Sequence, residues 1–280
     1  MNQPASVTDL VAELSRARLQ ASALAWPPNL PADLPTAYAA SLGVRKARIR
    51  AGEVPVGYKV GFTNRSIWPI YNVYQPIWGT VWRSTLHQVA AGAPSEGELS
   101  LSGLCEPRIE PEIVFCLRES PPADCDLAGL VQAVDWIAHG FEIVHTHFPG
   151  WKFSGAQAVA DGGLHGLLLV GHRVKLAANP DAQALSDTLS GLRLKLYHNQ
   201  VLKDQGKGVN VLDGPVQALL HFVQALRGTP GAPALQAGDV ITTGTLTDAY
   251  PVRPGETWHS EIFVDDPLAA PLQGLMIRFT

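Results

Sequence analysis

Cysteine is scarce in this chain. Among 280 residues there are three, Cys105, Cys116 and Cys125, an odd number without Cys-x-x-Cys spacing. That excludes a disulfide-framed scaffold, reads against a cysteine zinc site, and fits reduced thiols in a cytoplasmic protein. No stretch approaches the roughly 18–20 apolar residues of a membrane span. The opening segment, MNQPASVTDLVAELSRARLQ, alternates polar and apolar residues and lacks the unbroken apolar core of a secretion signal. Basic clusters are missing too, and a net charge of −4 argues against nucleic acid as a partner. We find no internal repeat and no low-complexity segment. The expectation is a cytoplasmic globular protein with neither nucleic acid nor membrane as a partner.

What the chain does have is apolar content. It is 46% hydrophobic and 16% charged, ample for one large domain, alone or with a smaller appendage. Residues 7–24 place apolar side chains at helical intervals, with Thr8 as the expected N-cap, acids early and arginines late. PPNLPADLP (27–35) is too proline-rich for regular structure and reads as a connector. A second helix is expected from about Thr36 to Ile49, ending near Gly52.

The character then changes. VPVGYKVGFT (54–63) is β-branched and punctuated by glycine, as a strand is. Strands are expected at 109–117, 166–171, 192–199, 239–244 and 258–264, with helices at 127–138 and 215–228. HNQVL (198–202) signals a hairpin turning at Asn199-Gln200. The fold class that results is α+β, with a small helical region over 1–52 and a larger sheet-dominated domain over 53–280.

The strand IEPEIVFCL carries the chemical question. Glu110 and Glu112 are two apart, so in a strand they share a face at roughly 6–7 Å along the backbone. Ile109, Ile113, Val114, Phe115 and Leu117 make that strand apolar, and two carboxylates on a half-buried face are costly to ionise without a partner. The ordinary alternative is a solvated face. A hard divalent cation is the partner that oxygen ligands suit. Such a site usually wants a third carboxylate; Glu142 is the first candidate downstream and Asp161 the next.

Other polar groups admit rival readings. His145 and His147 share one face of an extended segment and invite a zinc reading, for which His139 or His165 would have to supply more ligands. The chain has no His-Glu-x-x-His spacing, so a histidine carrying protons beside an oxygen-ligated metal reads better. Lys59, amid apolar neighbours, is either a lysine snorkelling from an edge strand or a cation that stabilises substrate charge. Arg108 is a possible bidentate clamp on a carboxylate.

Taken together, GYKVGFTN (57–64), EPRIEPEIVF (106–115), FEIVHTHFPGWKF (141–153), VADGGLHGLLLVG (159–171) and LQAGDVITTGTLTDAYPVRPGE (235–256) resemble the 2-keto-4-pentenoate hydratases and 4-oxalocrotonate decarboxylases of the fumarylacetoacetate hydrolase superfamily. The resemblance runs from about residue 36 to the C-terminus. It implies a mixed, strongly curved β-sheet roll with a small helical N-terminal region, usually assembled as a homo-oligomer. It also implies Mg2+ or Mn2+ on three carboxylates, which fall here on Glu110, Glu112 and Glu142. The family's strand lysine falls on Lys59, and its substrate-side loop on Thr243, Gly244 and Thr245.

Two departures stand out. Where hydratases commonly read Gln-Pro-Asp-Phe-Gly, this chain has Gln75-Pro76-Ile77-Trp78-Gly79; where they read Val-Ala-Asp-Asn-Ala-Ser-Ser-Gly, it has VADGGLHG. Asp161 is kept as the centre of a polar network. His165 becomes the expected substitute proton carrier, with His145 in reserve. Trp68, Trp78 and Trp151 are aromatic candidates for a pocket wall, with core packing the ordinary explanation of each. The resemblance implies a metal-dependent lyase acting on a small unsaturated 2-oxo acid, most like a hydratase. The alternatives are a decarboxylase or C–C hydrolase on the same platform, or a non-catalytic partner in complex with a related lyase.

Overall fold

A computed structural model describes residues 6–24, 30–90, 94–265 and 272–280; the expected connector lies outside them at 27–29. Helix α1 spans Val7–Gln20. Ser6 caps it, not Thr8: the Ser6 hydroxyl accepts from the Asp9 amide, and the Asp9 carboxylate accepts from the Ser6 amide. Reciprocal capping of this kind satisfies two otherwise orphaned donors. Helix α2 spans Leu34–Arg50 and starts before Thr36, because Asp33 caps it and Pro35 suits its first turn.

Strand β1 (Pro55–Gly61) follows, then helix α3 (Trp68–Tyr71). Next come β2 (Ile77–Trp82), β3 (Leu86–Gln88), β4 (Glu96–Leu99) and β5 (Arg108–Leu117). Helix α4 is Leu127–Gln132 and strand β6 is Val134–Val144. The helix expected over 127–138 therefore stops at Gln132. Strand β6 is buried on both faces, so its sequence lacks the apolar-polar alternation that marks a half-buried strand.

The second half contains α5 (Gly155–Ala160), β7 (His165–Lys175), α6 (Ala182–Gly191), β8 (Arg193–His198) and β9 (Val201–Lys207). After them come α7 (Pro215–Arg227), β10 (Val240–Thr242), β11 (Tyr250–Pro251), β12 (Thr257–Phe263) and β13 (Met276–Phe279). The β8–β9 hairpin turns at Asn199 and Gln200, both with positive φ.

The larger sheet runs β2-β1-β10-β5-β6-β7-β3, with β11 also on β5; the smaller runs β4-β13-β12-β8-β9. Both mix parallel and antiparallel pairs, and the architecture is an α+β curved roll. Around β5 the two faces divide. Ile109, Ile113, Phe115 and Leu117 join the main core. Val114 and Cys116 pack on the other face with Val81, Trp136, Leu168 and Val240, and the glutamates belong to that second face by their parity.

One interruption in the sheet makes the site. Strand β10 pairs with β5 at Val114–Cys116, and β11 pairs at Arg108 and Ile109. Between these stretches lies Pro111, which has no N–H to give a ladder, and its carbonyl accepts from the Leu246 amide at 2.9 Å. The chain from Thr243 to Ala249 crosses this gap beside Glu110 and Glu112.

Candidate active site

The three glutamates meet across two strands. Glu110 on β5 faces Glu142 on β6, and Glu112 faces Gly140. One carboxylate oxygen from each of Glu110, Glu112 and Glu142 lies within 4.8 Å of the others. Glu112 and Glu142 are fully buried, while Glu110 opens to a cavity. A Cβ at position 140 would press on Val114 and the Leu169 carbonyl, so glycine keeps the strands close at this point.

Each buried carboxylate has one arm fixed. The Gly244 amide donates to Glu112 Oε2 at 2.7 Å. Gly244 has φ +94°, and a Cβ there would lie 1.8 Å from Thr63 Oγ1, so the turn demands glycine. His165 Nδ1, facing a carboxylate, donates to Glu142 Oε1 at 2.7 Å, and its Nε2 lies 2.8 Å from Thr85 Oγ1. Lys59 Nζ stands 3.3 Å from Glu142 Oε2 in an ion pair whose geometry gives that oxygen no hydrogen bond. Glu112 Oε1 is likewise buried without a hydrogen bond.

The charges explain the proton affinities. Burial pushes the Glu110 carboxyl up to about 7, with Lys59 pulling the other way. Burial, then Glu142 and Glu110, raise Glu112 well above the usual carboxylate range. Glu142 ends lowered: burial opposes its charge, but Lys59 and His165 outweigh burial. Burial disfavours the Lys59 ammonium, yet the three carboxylates raise its pKa. Burial also lowers His165, against the pull of Glu142. Three acids facing one lysine form a site short of positive charge.

The cavity beside Glu110, about 200 Å³, is lined by Lys59, Phe62, Tyr71, Arg108 and Trp151 among others. The Arg108 guanidinium stacks over Trp151 at 4.0 Å, and its Nε is buried without a hydrogen bond. Gly244 and Thr245 line the same space. Thr243 does not; its hydroxyl donates to the Ile113 carbonyl. Ile77, at the hydratases' aspartate position, is an apolar part of this wall.

His165 and Asp161 sit behind this wall and do not line the cavity. Gly162, Gly163 and Leu164 have successive positive φ angles, and this turn delivers His165 to Glu142 from outside. Asp161 accepts from the His147 amide at 2.9 Å and from His147 Nδ1 at 2.6 Å, and lies 3.6 Å from Arg18 Nη2. Those interactions outweigh burial and keep its pKa low.

The remaining expectations fare unevenly. His139 bonds the Glu112 carbonyl and Ser260, and His165 holds Glu142, so neither joins His145 and His147; the neighbour that does is Cys105. Lys59 does not snorkel from an edge, since β1 lies between β2 and β10 and the side chain is buried. Glu106, though an even-numbered neighbour of Glu110 and Glu112, lies outside the strand that carries them. It precedes β5 with φ +47° and accepts from the Gly150 amide. Trp151 lines the cavity, Trp78 is core, and Trp68 borders a different groove. Sequence reasoning missed Phe62, Tyr71 and Phe153 on the cavity wall and Thr85 behind His165, because nothing local marks an aromatic or a threonine as facing a pocket.

Known proteins share this fold and part of this sequence. No family model matches the chain. The chain is 29% identical to a 2-hydroxyhexa-2,4-dienoate hydratase from Comamonas testosteroni, over 79% of each sequence. It is 27% identical to a 4-oxalocrotonate decarboxylase from a Pseudomonas species, over 77% of each. Among solved structures, 4-oxalocrotonate decarboxylase from Pseudomonas putida G7, complexed with magnesium and adipate, superimposes with a TM-score of 0.83 over all of both chains, at 21% identity. The fold is the one seen in that decarboxylase and, at a TM-score of 0.54 over 79% of this chain, in a yeast fumarylacetoacetate hydrolase family protein. In sequence the chain is similar to hydratases and decarboxylases that act on small unsaturated acids by name, at under 30% identity.

Proposed function

We propose that this chain is a divalent-metal-dependent lyase that acts on a small unsaturated 2-oxo acid, most like a 2-keto-4-pentenoate hydratase. The observation that carries the reading is the set of three carboxylates on adjacent strands, with buried oxygens of Glu112 and Glu142 lacking a hydrogen bond. All-oxygen donors suit a hard cation, Mg2+ or Mn2+, and Glu110, Glu112 and Glu142 would hold it. When bound, such an ion supplies Lewis acidity that stabilises the enolate of a 2-oxo acid.

The chain's own groups divide the remaining work. Lys59, kept cationic by its carboxylates, presents positive charge to the substrate and holds a proton at Nζ. Arg108, stacked on Trp151 in the wall of the same cavity, grips a substrate carboxylate. Gly244 and Thr245 border the substrate, while Thr243 fixes their loop to β5. Phe62, Tyr71 and Trp151 exclude water from an apolar tail. His165 and Asp161 act as positioning residues: His165 aims Glu142, and Asp161 holds the network behind it.

Hydratase chemistry is favoured over decarboxylation because the hydratase from Comamonas testosteroni shares the higher identity of the relatives compared. The functional division into a helical region over 1–52 and a catalytic domain over 53–280 belongs to the same proposal, supported by the glutamates and Lys59 all falling in the second. So does assembly as a homo-oligomer, or with a related lyase, which sedimentation of the purified protein measures. Among the described residues no helix is long and apolar enough to cross a membrane.

The test is incubation in Mg2+ with a 2-hydroxydienoate, with 4-oxalocrotonate and with an acylpyruvate, following products and CO2. Hydration of the dienoate without CO2 is the expected result. CO2 from 4-oxalocrotonate, or cleavage of the acylpyruvate, would reassign the reaction on the same platform. Turnover of none of the three would leave a non-catalytic partner and sink the lyase reading.

A further inference from the structure

A second cluster of metal-binding groups lies outside the cavity. Cys105, in the loop before β5, and His145 and His147, just after β6, bring one ligand atom each within 4.8 Å of one another. His145 and His147 are buried, and Cys105 is partly exposed. Their ring planes cross at 71° with centroids 4.8 Å apart.

The decisive detail is His147. Its Nδ1 donates to Asp161 Oδ1 at 2.6 Å, which fixes the tautomer and leaves the lone pair on Nε2. That Nε2 is buried and has no hydrogen-bond partner. A carboxylate behind a histidine whose far nitrogen is free is the arrangement that orients metal-ligating imidazoles. His145 contributes little that would be lost: its Nδ1 accepts a long bond, 3.3 Å, from the Cys105 amide. Ligation through either nitrogen of His145 gives up only that contact.

We infer that Cys105, His145 and His147 form a binding site for a borderline divalent transition metal of the Zn2+ type, distinct from the carboxylate cluster. One thiolate and two imidazoles are donors such ions prefer and Mg2+ does not. Three protein ligands leave a fourth position for water. Ligand atoms in a tetrahedral site of this kind stand about 3.3–3.8 Å apart, so binding draws the cluster in by about 1 Å at most. The Cys105 thiol gives its proton to solvent, and the thiolate offsets the nearby Arg18, which is itself held by Asp161. Because Cys105 precedes β5 and the histidines follow β6, the ion would clamp together the two strands that carry Glu110, Glu112 and Glu142.

Co2+ is the probe, since thiolate ligation gives a charge-transfer band that an oxygen-only site does not. The reduced protein in excess Mg2+ is titrated with Co2+, then with Zn2+ in competition. The expected result is one equivalent of Co2+ with a thiolate band, displaced by Zn2+ and lost in Cys105→Ser. Asp161→Asn, which keeps the side chain's size, weakens binding about 10–100-fold. No thiolate band in the wild type, or a band that survives in Cys105→Ser, overturns the proposal. The intact cavity and turnover in Mg2+ report on the carboxylate site separately.

Discussion

Glu110 and Glu142 stand directly opposite each other in the antiparallel β5–β6 ladder. Cross-strand neighbours on one face lie about 4.5–5.5 Å apart at Cβ, and like charges there repel. Lys59 and His165 both lean on Glu142, leaving Glu110 and Glu112 as the pair whose charge is least compensated. From this imbalance the following expectations derive.

Mg2+ should stabilise the protein. At a hundredfold excess over Kd, binding adds about 2.7 kcal/mol, or roughly 5–10 °C in Tm for a chain of this size. Glu112→Gln should abolish both the shift and turnover, since it removes a ligand while leaving a side chain of the same size. Calorimetry with and without Mg2+ measures this; an undiminished shift in Glu112→Gln would remove that residue from the ligand set.

The pH dependence of the metal-free protein should run opposite to that of most carboxylates. Glu110 in the fold holds its proton up to about 7, whereas an unfolded glutamate loses it near about 4.3. The folded state binds more protons in that window, so this group's contribution to stability falls as pH rises through it. Mg2+ affinity should rise over the same range as the carboxyl deprotonates. Melting curves in chelator at successive pH values check the sign, and Glu110→Gln should flatten the trend.

His165→Ala leaves Glu142 Oε1 buried without its donor, a cost of about 1–3 kcal/mol. As a positioning residue, His165 should act mainly through the metal: His165→Ala should raise the Mg2+ concentration needed for half-maximal rate about tenfold or more. If instead the rate at saturating Mg2+ collapses with Mg2+ affinity unchanged, His165 moves protons in the reaction and the positioning role is wrong.

Arg108→Gln removes the cation over Trp151 while Trp151 keeps its place on the wall. A charge-assisted bond to a carboxylate is worth about 1.5–3 kcal/mol, so KM should rise roughly 10–150-fold with a smaller change in kcat. Steady-state kinetics with the 2-hydroxydienoate distinguishes this from a structural loss, which Tm would reveal.

Gly244→Ala should fail in the fold. Its φ is +94° and the added Cβ meets Thr63 Oγ1 at 1.8 Å, so a loss of about 1–3 kcal/mol is expected from backbone strain alone. The loop would also withdraw its amide from Glu112. A thermal melt within a degree of wild type would contradict the account of this turn.

The pairing of Glu110 with Glu112 was legible in the sequence because it follows from strand parity, a local rule. The motifs also carried Glu142, Lys59 and the glycine-bearing loop. The boundary of α4 was not legible, since β6 is buried on both faces and loses the alternation that marks a strand. Nor was the place of Glu106, which sits in a left-handed turn before β5 and so apart from Glu110 and Glu112.

The sequence by itself determined which residues can carry charge into an apolar sheet, and at what spacing along one strand. Only the tertiary structure decided which of them meet. It set Glu142 opposite Glu110, turned His165 away from the cavity to hold Glu142, and placed Cys105 against two histidines forty residues on. Those contacts depend on register between strands and on turns through positive φ, which are fixed by the packing of both sheet faces at once.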